Sequence, residues 1–267
     1  MALLLHVLMV FLLSGGLARV VTDFELECGQ FFANGKSPTR FFGLQYKQIC
    51  QTLNGVPYYA TYYDTYNRIP VYSAYRFEGI MHCTRLNKWY IEPQLDDDKA
   101  GEDMASEASV DINLRGVHQA LNKDYEKSGY HKGHLAPVYQ AESQSCADAT
   151  FTLTNAAPQN PHFNSVLWWN VEKMVAKYLA RRCISQTVYI VTGVIPGTTN
   201  IKNRVNVPSH FWTAFCCLDQ NYRCSKSRGV IGTNENNSVI TEKPVADLER
   251  ELQNLYGTRT PFSLFQY

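Results

Sequence analysis

Apolar positions along this chain recur with two different periods. Phe163, Leu167, Val171, Met174 and Tyr178 recur at spacings of three and four, which predicts a helix over 163–182 with one apolar stripe. Val245–Tyr256 reads as a second amphipathic helix, with Pro244 at its start and Gly257 just past its end. Other segments read as strands. The β-branched run 187–192 is expected to stop at Gly193. Residues 210–217 and 227–232 follow as two more strands, and 151–154 as a short one ending at Asn155 and Pro158. Strands on both sides of a central helix predict an α+β fold. No internal repeat and no Gly/Ser- or Pro-rich linker interrupts the chain, so a single domain is expected over 19–267.

The amino terminus carries a different pattern. An apolar run from Ala2 to Leu13 is followed by Gly16-Leu17-Ala18. The run is too short to cross a hydrocarbon layer of roughly 30 Å. It matches the apolar part of a signal peptide with a small-x-small cleavage site, so 1–18 is expected to be removed and the protein secreted. No later stretch is apolar enough to serve as a membrane anchor, and none is expected.

Composition narrows the picture. The chain has 267 residues, 45% hydrophobic and 18% charged, enough apolar material for a core. With 25 basic and 24 acidic side chains, bulk attraction to nucleic acid is excluded and any polyanion site must be local. Residues 92–111 are strongly acidic but lack EF-hand spacing, so a solvated loop is expected. All eight cysteines follow residue 18, which fits disulfides in an oxidising compartment. Cys28 with Cys50, and Cys217 or Cys216 with Cys224, are the candidate pairs. Asn236 begins the sequon Asn236-Asn237-Ser238 and is a candidate glycosylation site.

Candidate chemistry concentrates in SGYHKGHLAP (128–137) and TNAAPQ (154–159), followed by Asn164, Trp168 and Glu172. A neutral imidazole at His134 can take a proton from water near physiological pH. Gly133 before it is expected to permit a sharp bend and close phosphate approach. Asn164, Trp168 and Glu172 are spaced four and four, one stripe of the predicted helix. An amide oxygen at Asn164 suits a hard cation such as Mg²⁺, which needs few protein ligands. Taken singly, each residue has an ordinary structural role. His134 would be a core histidine, Asn164 an N-cap and Trp168 core. Glu172 and the following Lys173, Lys177, Arg181 and Arg182 would be a solvated face. Their order and spacing together are what point to a site.

The two motifs resemble those of the DNA/RNA non-specific endonucleases, the His-Me finger or ββα-metal nucleases. A broader similarity, from about Phe31 to Tyr256, points to one vertebrate branch of that family. The resemblance implies a mostly antiparallel central sheet flanked by helices. It also implies hydrolysis of phosphodiester bonds in DNA and RNA, gripped through the phosphate backbone, leaving 5′-phosphate ends. His134 matches the general base, Asn164 the metal ligand and Glu172 the glutamate that supports the metal's water. Mg²⁺ is the implied cofactor, with Mn²⁺ or Ca²⁺ as substitutes.

This chain also departs from the family pattern. His131-Lys132 stands where Asp-Arg is usual, and Ala176 where an arginine is common. Lys132 and Lys177 are the candidate substrate-binding cations. Arg85 and Arg76 are candidates for an upstream phosphate-binding arginine. The lost arginine fork weakens phosphate binding. An alternative is therefore a weak or inactive nuclease fold serving as a secreted binding or immune-interaction module. A zinc enzyme built on His131 and His134 is a third reading.

Overall fold

The computed structural model describes residues 19–266, so the expected signal segment 1–18 lies outside the described residues. The chain opens with β1 (Arg19–Val21) and α1 (Phe24–Cys28), then a meander of β2 (Tyr46–Leu53), β3 (Val56–Asp64) and β4 (Ile69–Arg76). A long excursion carries β5 (Tyr90–Ile91), β6 (Ala105–Ser106), α2 (Asn122–Tyr125), β7 (His131–His134), α3 (Gln144–Ala149) and β8 (Ala156–Gln159). A π-helical turn, Phe163–Trp168, leads into α4 (Trp169–Arg182). The chain returns through β9 (Thr187–Ile195), the ribbon β10 (Thr199–Ile201) and β11 (Val205–Val207), β12 (His210–Leu218), β13 (Cys224–Thr233), β14 (Thr241–Lys243) and α5 (Val245–Tyr256).

Eight strands form one sheet in the order β1-β2-β3-β4-β9-β12-β13-β14. Every pairing in it is antiparallel. The period of two sends neighbouring residues to opposite faces. Phe211 and Phe215 join the core beneath α4, whereas Trp212 and Cys216 join the core beneath α1 and α5. The fold is α+β as expected.

Alternation also decides the disulfides. Cys217 faces α4 and bonds Cys183 just past that helix. Cys216 faces the other way and bonds Cys224 across the β12–β13 hairpin. Of the two candidates for Cys224, Cys216 is therefore the partner, not Cys217. Cys28 and Cys50 are bonded as expected. Cys83 and Cys146 remain thiols that share one small apolar cluster.

Several local expectations are corrected. Residues 151–154 do not form a sheet strand; a single bridge joins Thr152 to Tyr90, and Leu153–Asn155 make a short 3₁₀ turn. The strand follows instead, as β8. β9 does not stop at Gly193 but runs through it, because the missing Cβ is where the Trp212 ring packs, at 2.2 Å from an ideal Cβ. The acidic segment is not simply solvated. Glu92 is buried at 3% exposure. Asp96 accepts hydrogen bonds from the Gly116 and His118 N–H groups and from Gln119. Glu107 accepts two from Asn122. These carboxylates tie down backbone that no sheet partner satisfies. Val245–Tyr256 is helical as read, ending at Gly257 with φ 66°. Asn236 lies exposed in a turn. Among the described residues, no helix is long and apolar enough to cross a membrane.

Candidate active site

The site begins with a hairpin-like pair outside the main sheet. β7 runs antiparallel to β8, setting His131 opposite Gln159 and His134 opposite Ala156. Gly133 does not make a sharp bend there. It lies within β7, and an added Cβ would sit 2.2 Å from Gln159 Oε1. The glycine makes room for Gln159. The turn after His134 is pinned by buried Asn155. Its Oδ1 accepts from the Ala136 N–H and the Ser73 hydroxyl, and its Nδ2 donates to the Ala136 and Thr150 carbonyls, each at 2.9 Å.

β8 then enters the helix. Asn160 Oδ1 accepts the His162 and Phe163 N–H groups at 3.0 and 3.1 Å, satisfying donors that a helix start leaves open. The next turn is π-helical: the Trp169 N–H reaches back to the Asn164 carbonyl, five residues earlier. This wider turn shifts the stripe read from the sequence. Trp168 packs in the core with Phe163 and Phe211, as read from the sequence, and it is Trp169 that lines the cleft with Asn164. Met174 and Tyr178 turn outward, and Val175 and Leu179 are buried instead.

β7, β8 and α4 enclose one side of a cleft of 410 Å³ lined by His134, Asn164, Glu172, Lys132, His131 and Arg85, among others. His134 is 7% exposed and packs in a triangle with Trp89 and Phe151, 4.8 Å from each ring centre, the two rings being 5.2 Å from one another. Its Nε2 is buried without a hydrogen-bond partner among the described residues. Burial pushes the imidazole pKa down to about 3, and the charge of Arg85 acts in the same direction. The ring is therefore neutral at physiological pH, with an unsatisfied nitrogen. Burial pushes the Glu172 carboxyl up to about 8, against the pull of Arg85. Gln140 donates to the Glu172 carbonyl at 3.0 Å and accepts from the Tyr75 hydroxyl, tying α4 to the sheet.

The donor set fits a hydrated hard cation. Asn164 Nδ2 donates to Gln159 Oε1 at 2.6 Å, and Asn164 Oδ1 takes no hydrogen bond among the described residues. Glu172 lies in the same cleft and supplies an oxygen-bearing neighbour. One amide and one carboxylate leave most positions to water and phosphate, as Mg²⁺ prefers. The zinc arrangement lacks its ligands: among the described residues no three His, Cys, Asp or Glu side chains gather for a metal.

The structure brings together most of the residues singled out in the sequence. Lys132 lines the cleft, but its ammonium is held by Asn122 Oδ1 at 2.6 Å and lies over the rings of Trp89 and Tyr125. Lys177 is exposed on α4 and is not part of the cleft lining. Arg85 lines the cleft, with its guanidinium 5.3 Å from the Phe151 ring centre. Arg76 is instead paired with Glu78. Ala176 is fully buried in the core beneath α4. Sequence reasoning missed Asn155, Gln159, Gln140 and Trp89. The first two lie inside TNAAPQ and could have been flagged as buried amides. Gln140 and Trp89 carry no local signal.

The comparisons with known proteins agree with this geometry. The family model for DNA/RNA non-specific endonuclease matches residues 37–257. Endonuclease domain-containing 1 protein of Homo sapiens is 34% identical over 250 residues, 91% of this chain and 49% of that protein. Endonuclease G, mitochondrial, of Bos taurus is 34% identical over 145 residues, 48% of each chain. This chain thus spans about half the length of these curated relatives. In fold it is similar to a chain in the crystal structure of the EndoG/EndoGI complex, with a TM-score of 0.55, 22% identity, and coverage of 89% of this chain and 91% of that one. From the ββα unit through the family match, the chain belongs to the DNA/RNA non-specific endonuclease family.

Proposed function

We propose that this protein is a secreted, metal-dependent nuclease that hydrolyses phosphodiester bonds in DNA and RNA with little sequence preference. One observation carries the reading. A neutral, buried His134 with an unsatisfied Nε2 shares its cleft with the free amide oxygen of Asn164 and with Glu172. A buried nitrogen without a partner is costly to the fold, and such groups concentrate where chemistry uses them.

In this reading His134 Nε2 accepts the proton of the attacking water. The rings of Trp89 and Phe151 pack against the imidazole and hold it in one orientation. Asn164 Oδ1 would hold the divalent ion, with Gln159 orienting the amide, and Glu172, giving up its proton as the ion binds, would orient the ion's water. When bound, the ion supplies charge stabilisation for the pentavalent phosphorus and the departing 3′ oxygen. Arg85 is placed to meet a phosphate oxygen. Contacts made to backbone rather than to base edges carry no sequence information. Secretion is supported by three disulfides, which persist in oxidising compartments.

The test is incubation of the mature protein with plasmid DNA and a single-stranded RNA, in Mg²⁺ and in EDTA, beside His134→Ala. Mg²⁺-dependent loss of both substrates, absent in the variant, is the expected result. Full cleavage by a folded His134→Ala protein would overturn the assignment. A second reading, a nuclease-fold binding module with little turnover, is favoured by the engagement of Lys132 with Asn122. It predicts nucleic-acid binding without cleavage by the wild type.

A further inference from the structure

An exposed indole at the mouth of a phosphate-cleaving cleft needs an explanation. Trp169 is 36% exposed and lines the same cleft as His134 and Glu172. Its neighbour Trp168 is 2% exposed and does the core packing, so Trp169 is not required there. The π-helical turn is what delivers it: with five residues in that turn, Trp169 stacks above Asn164 instead of rotating past the cleft. Tyr139, from the turn after β7, meets the indole edge-on with ring centres 5.1 Å apart and an interplanar angle of 76°. Tyr139 also lines the cleft. One helical turn further on, Lys173 Nζ lies 5.1 Å from the indole centre. The result is an aromatic surface braced by a second ring and covered on one face by a cation, with its other face left for a base, in the same cleft as the groups that would act on phosphate.

We propose that Trp169, braced by Tyr139 and with Lys173 over one face, offers its other face as a nucleobase-stacking subsite for the nucleotide next to the scissile phosphate, and that it favours strands whose bases are unstacked. The proposal rests on the nuclease reading above and adds the substrate form it prefers. Every base has a π-face, so stacking on an indole tolerates any sequence. A base inside a duplex has both faces covered and must be extruded to reach Trp169, whereas a single strand exposes them at little cost. Lys173 supplies a charge for the phosphate flanking the stacked base. The subsite therefore adds grip on single strands without adding base readout.

The experiment is fluorescence anisotropy of three end-labelled oligonucleotides of equal length: a single strand, a duplex and an abasic phosphodeoxyribose strand. It is run in EDTA, so binding is read whether or not the chain cuts. Wild type, Trp169→Ala and Trp169→Phe are compared, with thermal melts as a folding control. Trp169→Ala is expected to weaken single-strand binding by about ten-fold or more. Its effect on the duplex and the abasic strand should be less than two-fold, and Trp169→Phe should recover most of the loss. An equal loss on the abasic strand, no loss at all, or no binding of any strand by wild type would overturn the subsite. Cleavage of the same strands in Mg²⁺ is scored separately, so the nuclease reading stands or falls on its own result.

Discussion

The two faces of the central sheet treat buried polar groups differently. On the face covered by α1 and α5, the tyrosine hydroxyls are satisfied. Tyr62 donates to the Phe41 carbonyl and Tyr72 to the Pro38 carbonyl. Tyr256 donates to the Val194 carbonyl and accepts from the Trp212 indole. On the face covered by β7, β8 and α4, the Tyr59 and Tyr75 hydroxyls are also satisfied, but among the described residues the His134 Nε2, Gln159 Nε2 and Tyr125 hydroxyl have no partner. The first face is built for cohesion. The second keeps groups unsatisfied and shifts His134 and Glu172 in opposite directions. Unmet hydrogen-bonding capacity gathers at the candidate cleft, the pattern expected where chemistry uses such groups.

Substitutions on the two faces should therefore break different things. His134→Ala is expected to lower cleavage by about 10²–10⁴-fold, the usual range for a general base, with little loss in thermal stability. On the other face, Trp212→Ala should destabilise the fold by about 3–5 kcal/mol, read by urea unfolding, while folded molecules keep their turnover. Equal effects of both variants on both readouts would erase the distinction.

The working face also depends on what anchors it. Asn155→Ala removes four buried hydrogen bonds around the His134 turn. A stability loss of about 3 kcal/mol is expected, together with a cleavage loss larger than that of a surface control. Replacing Cys183 and Cys217 with serine should cost about 2–4 kcal/mol and loosen the carboxyl end of α4. Removing Cys216–Cys224 on the opposite face should leave cleavage per folded molecule unchanged.

The gentlest perturbation is a change of pH, with no residue replaced. His134 is held neutral in the fold down to about pH 3, while in the unfolded chain it takes a proton below its ordinary 6.5. Stability should fall as pH drops through this window, by at most about 1.4 kcal/mol per pH unit. Glu172 has the opposite sign. It keeps its proton in the fold up to about pH 8, so its contribution is lost as pH rises from 4.5 towards that value. Melts in EDTA of His134→Gln and Glu172→Gln should each flatten one of the two slopes. A wild-type profile unchanged by either variant would show that neither group is buried in the way described.

Much of the molecule is legible from local patterns. Helix α5 ends where Pro244 and Gly257 say it should, because caps act within one turn. The pairing of Cys28 with Cys50 and the gathering of His134, Asn164 and Glu172 also follow from nearby residues and motif order. The shift at α4 does not. Whether Trp168 or Trp169 faces the cleft depends on one extra residue in a turn, and periodicity averaged over a helix cannot register that.

The chain's own order of residues determined its α+β class, its family and the candidate status of His134 and Asn164, since each rests on neighbours or on a short motif. Tertiary structure alone decided the rest. It set the burial that displaces the His134 and Glu172 protons, the partner of each adjacent cysteine, and the approach of Arg85 and Trp89 from a distant loop. These depend on which surfaces meet when the sheet closes, and desolvation and long-range contacts have no signature in a linear pattern.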